Sequence, residues 1–308
     1  MSGRELVILG TASQVPTRAR AHHAALLRFD GHGILLDPGE GTQRQLSLAR
    51  IPVSSIDRIC ITHAHGDHCL GLPGVLQRLA LDRVTHPVVL HYPSEAEPYI
   101  TALRHASASS TSAEVDARPA APGILATDPP LTIEAQALSH AIPTLGYRFS
   151  QPPGRRLLPS RLEALRVPHE ARSELADAGR VRVAGRLVHL EEVSEPRPGV
   201  RIAHVMDTRD CPGARELAEG ADLLLIEATF LEPERELAAE AGHLTAAQAA
   251  RIGADAGARR VVLTHLSRRY PGTAAHQAEA LAAAPGLDVH VARDLDLVPL
   301  SGPVTRLR

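Results

Sequence analysis

The run Thr62-His63-Ala64-His65-Gly66-Asp67-His68 places three imidazoles and one carboxylate within six residues, directly after the apolar stretch Ile59-Cys60-Ile61. Imidazole nitrogen and carboxylate oxygen are donors for zinc, and a catalytic zinc site leaves one position open for water. In a loop at a strand end, His63 and His65 can point one way while Asp67 and His68 turn towards a second position, so one loop can serve two adjacent ions. Three more polar residues each follow an apolar run: His140 after Leu138, Asp207 after Val200 to Met206, and His265 after Arg260 to Thr264. Together these residues supply seven donors for two cations, which can polarise a phosphoryl oxygen, acidify a shared water and steady a leaving oxygen. Mn²⁺ or Fe²⁺ could occupy the same His/Asp set in place of zinc.

Such a site needs stiff elements with their ends aligned. Leu6 to Leu9, Ala24 to Phe29 and Gly33 to Asp37 read as an opening β-meander, and Ile56 to Ile61 as the strand that delivers the His-rich loop. Helical spacing follows at Gln43 to Ala49 and Gly71 to Leu81. In the second half, strands at Val200 to Met206, Leu223 to Ile226 and Arg260 to Thr264 alternate with helices at Pro212 to Glu219, Ala246 to Ala256 and Gln277 to Ala284. This alternation predicts an α/β fold of two sheets packed face to face with helices outside. Ser107 to Pro130, rich in Ala, Ser, Pro and Gly, reads as an irregular connection. Residues 150 to 198, rich in Pro, Arg and Glu, read as an insertion into a single domain spanning 1 to 308.

Composition narrows the partners. The chain has 308 residues, is 44% hydrophobic and carries a formal net charge of −2, as expected of a globular protein with a real core. Aromatics make up 2% with no Trp, which argues against base-stacking platforms and leaves Arg as the nucleic-acid contact. No Lys occurs, so all 33 basic residues are Arg, the better bidentate partner for phosphate. Cys60, Cys69 and Cys211 are too few and too scattered for a disulfide framework. No apolar run is long enough for a membrane span and no signal peptide is evident, so a cytoplasmic protein is expected. His22, His23, His32 and His105 are expected to be surface histidines without a catalytic role.

The pattern His-x-His-x-Asp-His with distant His, Asp and His resembles the metallo-β-lactamase superfamily. Flanking segments resemble ribonuclease Z within it: Leu9-Gly10-Thr11, Leu36 to Leu46 with its Gly-Glu-Gly-Thr-Gln core, Gly71-Leu72-Pro73-Gly74, Gly146-Tyr147-Arg148, Glu227-Ala228-Thr229-Phe230 and Thr264 to Tyr270. The resemblance implies an αββα sandwich with an inserted projecting arm. It implies one zinc on His63, His65 and His140, a second on Asp67, His68 and His265, and Asp207 between them. It gives Asp67 the attacking water and Glu227 with His243 the protonation of the leaving 3′ oxygen. The chain departs from the family's usual residues at Met206 (Gly), Ile226 (His) and Leu244 (Ser), and it lacks the Gly-Pro pair of the arm.

The implied activity is endonucleolytic removal of 3′ trailers from precursor tRNA by a homodimer, with one subunit's arm holding the tRNA cut by the other. The arm segment and its border carry Arg148, Arg155, Arg156, Arg161, Arg166, Arg172, Arg180, Arg182, Arg186 and Arg197, a local positive patch. Arg155, Arg156 and Arg172 are the candidate RNA contacts. Two other readings stand beside this one: hydrolysis of a small cyclic phosphodiester, sulfate ester, lactone or thioester, and RNA binding without turnover. The complete donor set argues against the last.

Overall fold

The computed structural model describes residues 4–108, 113–128 and 131–307. The chain divides into two compact units; one holds both large sheets, and the body of the other is Ser150–Val200.

The first sheet of the larger unit runs, in spatial order, Thr305–Arg306, Asp296–Pro299, Glu5–Gly10, Ala24–Phe29, His32–Leu36, Arg58–Cys60, Val88–Pro93 and Val115–Ala120. The second runs Asp288–Val291, Arg260–Thr264, Leu223–Glu227, Val200–Val205, Thr144–Gln151, Leu131–Leu138 and Gly123–Asp128. One face of the first sheet buries Val7, Leu9, Leu26 and Leu35 against Leu46, Val75, Leu79 and Ile100 of helices Thr42–Leu48, Leu72–Leu81 and Glu97–Arg104. The second sheet buries Val205, Leu224, Ile226 and Val261 against Leu217, Ala249, Ile252 and Ala280 of Pro212–Ala218, Ala246–Asp255 and Ala274–Ala283. Alternate residues such as Leu6, Ile8, Leu27 and Ile202 are equally buried, so the strands have no water-facing side and read as continuous apolar runs. Each such side chain contributes about 1.5–3 kcal/mol on leaving water. The architecture is the two-sheet α/β sandwich expected from the sequence.

Parallel pairing aligns the ends of the strands that matter. Arg58–Cys60 lies parallel to both its neighbours, and in the other sheet Val205 pairs with Ile226, Ile226 with Leu263, and Glu227 with Thr264. The carboxyl ends of these strands therefore share one edge, the place where open α/β sheets present ligands. The sheets are tied there by Leu145 N–H to Thr62 O at 2.9 Å, Tyr147 O–H to Ile61 O at 2.6 Å and Leu266 N–H to Thr11 O at 2.8 Å.

The expected irregular connection over 107–130 is corrected. Its described part contains the strands Val115–Ala120 and Gly123–Asp128, one at the edge of each sheet. An edge strand pairs on one side only, so it tolerates Pro119 and shows no clean alternation. Residues 109–112 and 129–130 lie outside the described residues.

The smaller unit pairs Gly154–Leu157 with Ser194–Arg197, and Arg180–Val183 with Arg186–His189. Leu162, Val167, Leu175, Val181, Val188 and Val193 form its own core. Among the described residues, no helix is long and apolar enough to cross a membrane.

Candidate metal centre

His63 follows strand Arg58–Cys60 by three residues. His65 starts the one-turn helix Gly66–Cys69, which carries Asp67 and His68. This turn packs so closely on the loop Pro38-Gly39 that a Cβ on Gly39 would lie 2.2 Å from the Asp67 carbonyl oxygen, and one on Gly71 2.0 Å from the Gly39 carbonyl oxygen. Glycine is required at both for the loop to hold its place. Asp207 and His265 stand just past their strands with φ of 43° and 60°, left-handed backbone that non-glycine residues rarely adopt. Asp37, behind the loop, has φ 45°.

The donors fall into two groups. In the first, His63 Nε2 lies 3.0 Å from His65 Nδ1, and His65 Nδ1 lies 3.3 Å from His140 Nε2. Asp207 Oδ2 stands 3.5 Å from His63 Nε2 and 3.7 Å from His140 Nε2. In the second, His68 Nε2 lies 3.1 Å from His265 Nε2, and Asp67 Oδ2 is 3.5 and 3.4 Å from those two nitrogens. Asp207 Oδ1 is 3.4 Å from His68 and 3.2 Å from His265. One oxygen of Asp207 thus faces each group.

Hydrogen bonds at the far side of the rings fix which nitrogen carries the proton. His140 Nδ1 donates to the Gly242 carbonyl at 3.0 Å and His68 Nδ1 to Asp37 Oδ2 at 3.0 Å. Thr62 Oγ1 donates to Asp37 at 2.8 Å, so it accepts from His63 Nδ1 at 3.0 Å. Thr229 Oγ1 donates to Glu227 at 2.7 Å, so it accepts from His265 Nδ1 at 2.9 Å. When the rings are neutral all four Nε2 atoms then present lone pairs, and lone pairs facing one another at these distances repel unless a metal ion or a proton lies among them. On a tetrahedral zinc with bonds near 2.0–2.1 Å, two nitrogens stand about 3.3 Å apart. Asp207 Oδ1 is buried without a hydrogen-bond donor, a further mark of a cation site. The residues fit divalent metal.

Burial, with neighbouring imidazoles, holds His63 well below the ordinary histidine range, and burial likewise lowers His65 and His140, leaving them neutral ligands. His68 differs: although burial opposes it, Asp207, Asp67 and Asp37 together hold its imidazolium well above that range. A proton therefore competes with a cation for His68, and metal binding weakens as pH falls.

Glu227 is fully buried at a strand end and accepts from Thr208 N–H at 2.8 Å, Thr229 Oγ1 and His243 Nδ1 at 2.9 Å. Burial opposes the charge on His243, but Glu227 and Asp207 raise its pKa to about 9. The ring borders a cavity of about 350 Å³, also lined by Asp67, His140, Asp207, Phe230 and Arg268. Met206, Ile226 and Leu244 are wholly buried, so these departures lie in the apolar packing behind the site.

Arg155 and Arg156 lie on Gly154–Leu157 and Arg172 on Ala171–Ala178, all in the smaller unit; Arg155 Nε donates to Ser194 Oγ at 2.7 Å and Arg156 pairs with Glu195. The surface position expected of His22 and His23 is corrected, for both are buried. His23 meets His204 of the other sheet head to head, with 3.2 Å between Nε2 atoms, a partnership between segments 181 residues apart that local sequence does not signal. His32 is partly buried on Asp57 and His105 is exposed.

Two mixed sheets with helices outside, and a His/Asp donor set at their shared edge, define a metal-dependent hydrolase of the metallo-β-lactamase superfamily. A family model described as metallo-beta-lactamase superfamily matches residues 17–148, and one described as beta-lactamase superfamily domain matches 158–266. The ribonuclease Z of Nocardia farcinica is 55% identical over 304 residues, covering 97% of this chain and 99% of that protein. That of Streptomyces coelicolor is 51% identical over 303 residues, covering 97% and 99%. The chain belongs to the ribonuclease Z family, as the sequence motifs led us to expect, and is a metal-dependent hydrolase of RNA phosphodiester bonds. The solved human tRNase Z, short form, shares the fold with a TM-score of 0.68 at 24% identity, covering 97% of this chain and all of that one.

Proposed function

We propose that this chain is the endoribonuclease that removes 3′ trailers from precursor tRNA, with two zinc ions per subunit, as a cytoplasmic homodimer. The observation that carries the two-ion reading is the division of Asp207, with Oδ2 towards His63, His65 and His140 and Oδ1 towards Asp67, His68 and His265. Two zinc ions held by these residues would supply positive charge for the phosphoryl oxygens and lower the pKa of water towards about 7. Asp67, held ionised by His68 and His265 despite its burial, accepts a hydrogen bond from the attacking water and so orients it. His243 then gives a proton from Nε2 to the departing 3′ oxygen, because Nδ1 is engaged by Glu227 and the raised pKa keeps the ring charged at neutral pH. Glu227 is too enclosed to reach substrate and acts by holding that ring.

The smaller unit is the proposed arm, within one metallo-β-lactamase-fold domain, with Arg155, Arg156 and Arg172 as its RNA contacts. The side chain of Arg156 is 66% exposed and free to exchange Glu195 for phosphate. The test is cleavage of a 3′-extended precursor tRNA beside a small phosphodiester, with zinc measured in the same preparation. Cleavage just after the discriminator base is expected; turnover of the small ester alone by zinc-loaded protein would overturn the substrate assignment.

A further inference from the structure

His140 and His243 come from different elements, yet one short segment governs both. Helix Arg235–Ala241 ends at Gly242, whose φ of +80° turns the chain so that its carbonyl accepts from His140 Nδ1 while the next residue enters the cavity as His243. A helix end leaves its last carbonyls without partners. Here His243 N–H donates to Ala238 O at 2.8 Å, and the side chain of Arg209 takes the next two, with Nε to Ala239 O at 2.7 Å and Nη2 to Glu240 O at 3.2 Å. Arg209 lies two residues after Asp207, and its backbone N–H donates to Ser139 O at 2.9 Å, next to His140. A Cβ on Gly242 would fall 2.8 Å from His140 Nδ1 and 3.3 Å from Arg209 Nη1, so the three are packed without slack.

We infer that Arg209 is a positioning residue for the reaction: it clamps the end of helix Arg235–Ala241 so that Gly242 O orients His140 and His243 is aligned to protonate the leaving oxygen. This rests on the assignment of His243 as general acid and His140 as metal ligand. A positive side chain suits a helix C-terminus, and the planar guanidinium meets two carbonyls from two separate nitrogens held in a fixed fork, a geometry that the single nitrogen of an ammonium does not reproduce. The clamp links the Asp207 loop, the His140 loop and the segment before His243 without touching substrate.

The experiment compares zinc-saturated wild-type protein with Arg209→Ala, Arg209→Lys, Gly242→Ala and His243→Ala on precursor tRNA and on bis(p-nitrophenyl) phosphate. The nitrophenolate leaves without a proton, so only the RNA reaction needs an aligned acid. For Arg209→Ala the expected result is kcat on RNA lowered about 10–100-fold with KM little changed, a clearly smaller loss on the nitrophenyl ester, where only the orientation of His140 counts, and partial recovery in Arg209→Lys. Zinc titration of the apo protein should show weakened binding at one of two sites in Gly242→Ala, where the added methyl presses on His140. Equal loss on both substrates in Arg209→Ala, or no loss on either, would overturn the inference. If His243→Ala splits the substrates and Arg209→Ala does not, the inference alone fails. If His243→Ala does not split them, the general-acid assignment fails and takes the inference with it.

Discussion

Replacing Asp37 by Asn exchanges one oxygen for an NH₂ group and leaves the volume unchanged, yet it reverses a hydrogen bond that the second donor group depends on. Asp37 Oδ1 accepts from Thr62 N–H at 2.6 Å, and Oδ2 accepts from Thr62 Oγ1 at 2.8 Å and His68 Nδ1 at 3.0 Å. In the Asn variant the amide oxygen can keep Thr62 N–H, and the NH₂ group then faces His68 Nδ1. The imidazole must either leave two donors opposed or move its proton to Nε2, the atom that faces His265 and Asp207. Either change costs about 1.4–2.8 kcal/mol at that group, a 10–100-fold loss of metal affinity, typical when a partner behind a ligand is removed. The other group should suffer less, because its link to Asp37 passes through Thr62 and His63 alone. The assay is competition of apo protein with a chromophoric chelator for zinc, resolving two constants, with circular dichroism as the control for folding. One constant weakened 10–100-fold and the other within about threefold is the expected result. Two unchanged constants would refute the tautomer argument, and two equally weakened ones would refute the division into two groups.

Asp67→Ala should abolish RNA cleavage and weaken zinc at the second group; retained turnover would exclude Asp67 as the water-orienting carboxylate. Removing Arg155 and Arg156 together should weaken precursor tRNA cleavage more than that of a small phosphodiester, and an equal effect on both would exclude RNA binding by the arm. Gly39→Ala or Gly71→Ala should destabilise the fold by at least about 1–3 kcal/mol, read from urea midpoints, because the new methyl meets backbone that cannot move aside. Burial lowers the pKa of His276 to about 4, so its contribution to stability is complete above pH 6.5 and is lost as pH falls towards 4. In metal-free protein, His276→Leu should remove about 2 kcal/mol of the stability difference between pH 7.5 and pH 5; an unchanged pH dependence would show that this ring is not held neutral.

The seven proposed ligands were legible because each stands in the loop after a strand; for all but His140 that strand is buried and paired in parallel register, which brings strand ends to one edge wherever they lie in the chain. His63, His65, His140 and Asp207 converge in one group and Asp67, His68 and His265 in the other; the spacing within the loop separates His63 and His65 from Asp67 and His68, while the places of His140, Asp207 and His265 came from the family resemblance. The strands Val115–Ala120 and Gly123–Asp128 escaped notice because edge strands follow no two-residue alternation. His23 looked like a surface histidine because its partner, His204, lies in the other sheet, and no local pattern distinguishes a buried imidazole pair from two exposed rings. Asp37 lies in the segment Leu36 to Leu46, where local sequence assigns it no role, since what it does depends on where Thr62 and His68 come to rest. Arg209 was invisible for a similar reason: its partners are backbone carbonyls, which every residue possesses.

Asp37, Asp207 and His265 all hold left-handed backbone, at a cost of order 1–3 kcal/mol each, inside a core rigid enough to keep them there. The substitution that relieves such strain most readily is glycine, and glycine at any of these positions deletes a donor or its orienting carboxylate. Selection for thermal tolerance in metal-free protein would therefore drive these three positions towards loss of metal chemistry, while selection in the presence of the ion would retain them. The same three residues mark where local backbone stability and the donor set oppose each other, and the rigid core around them is what holds the donors in place.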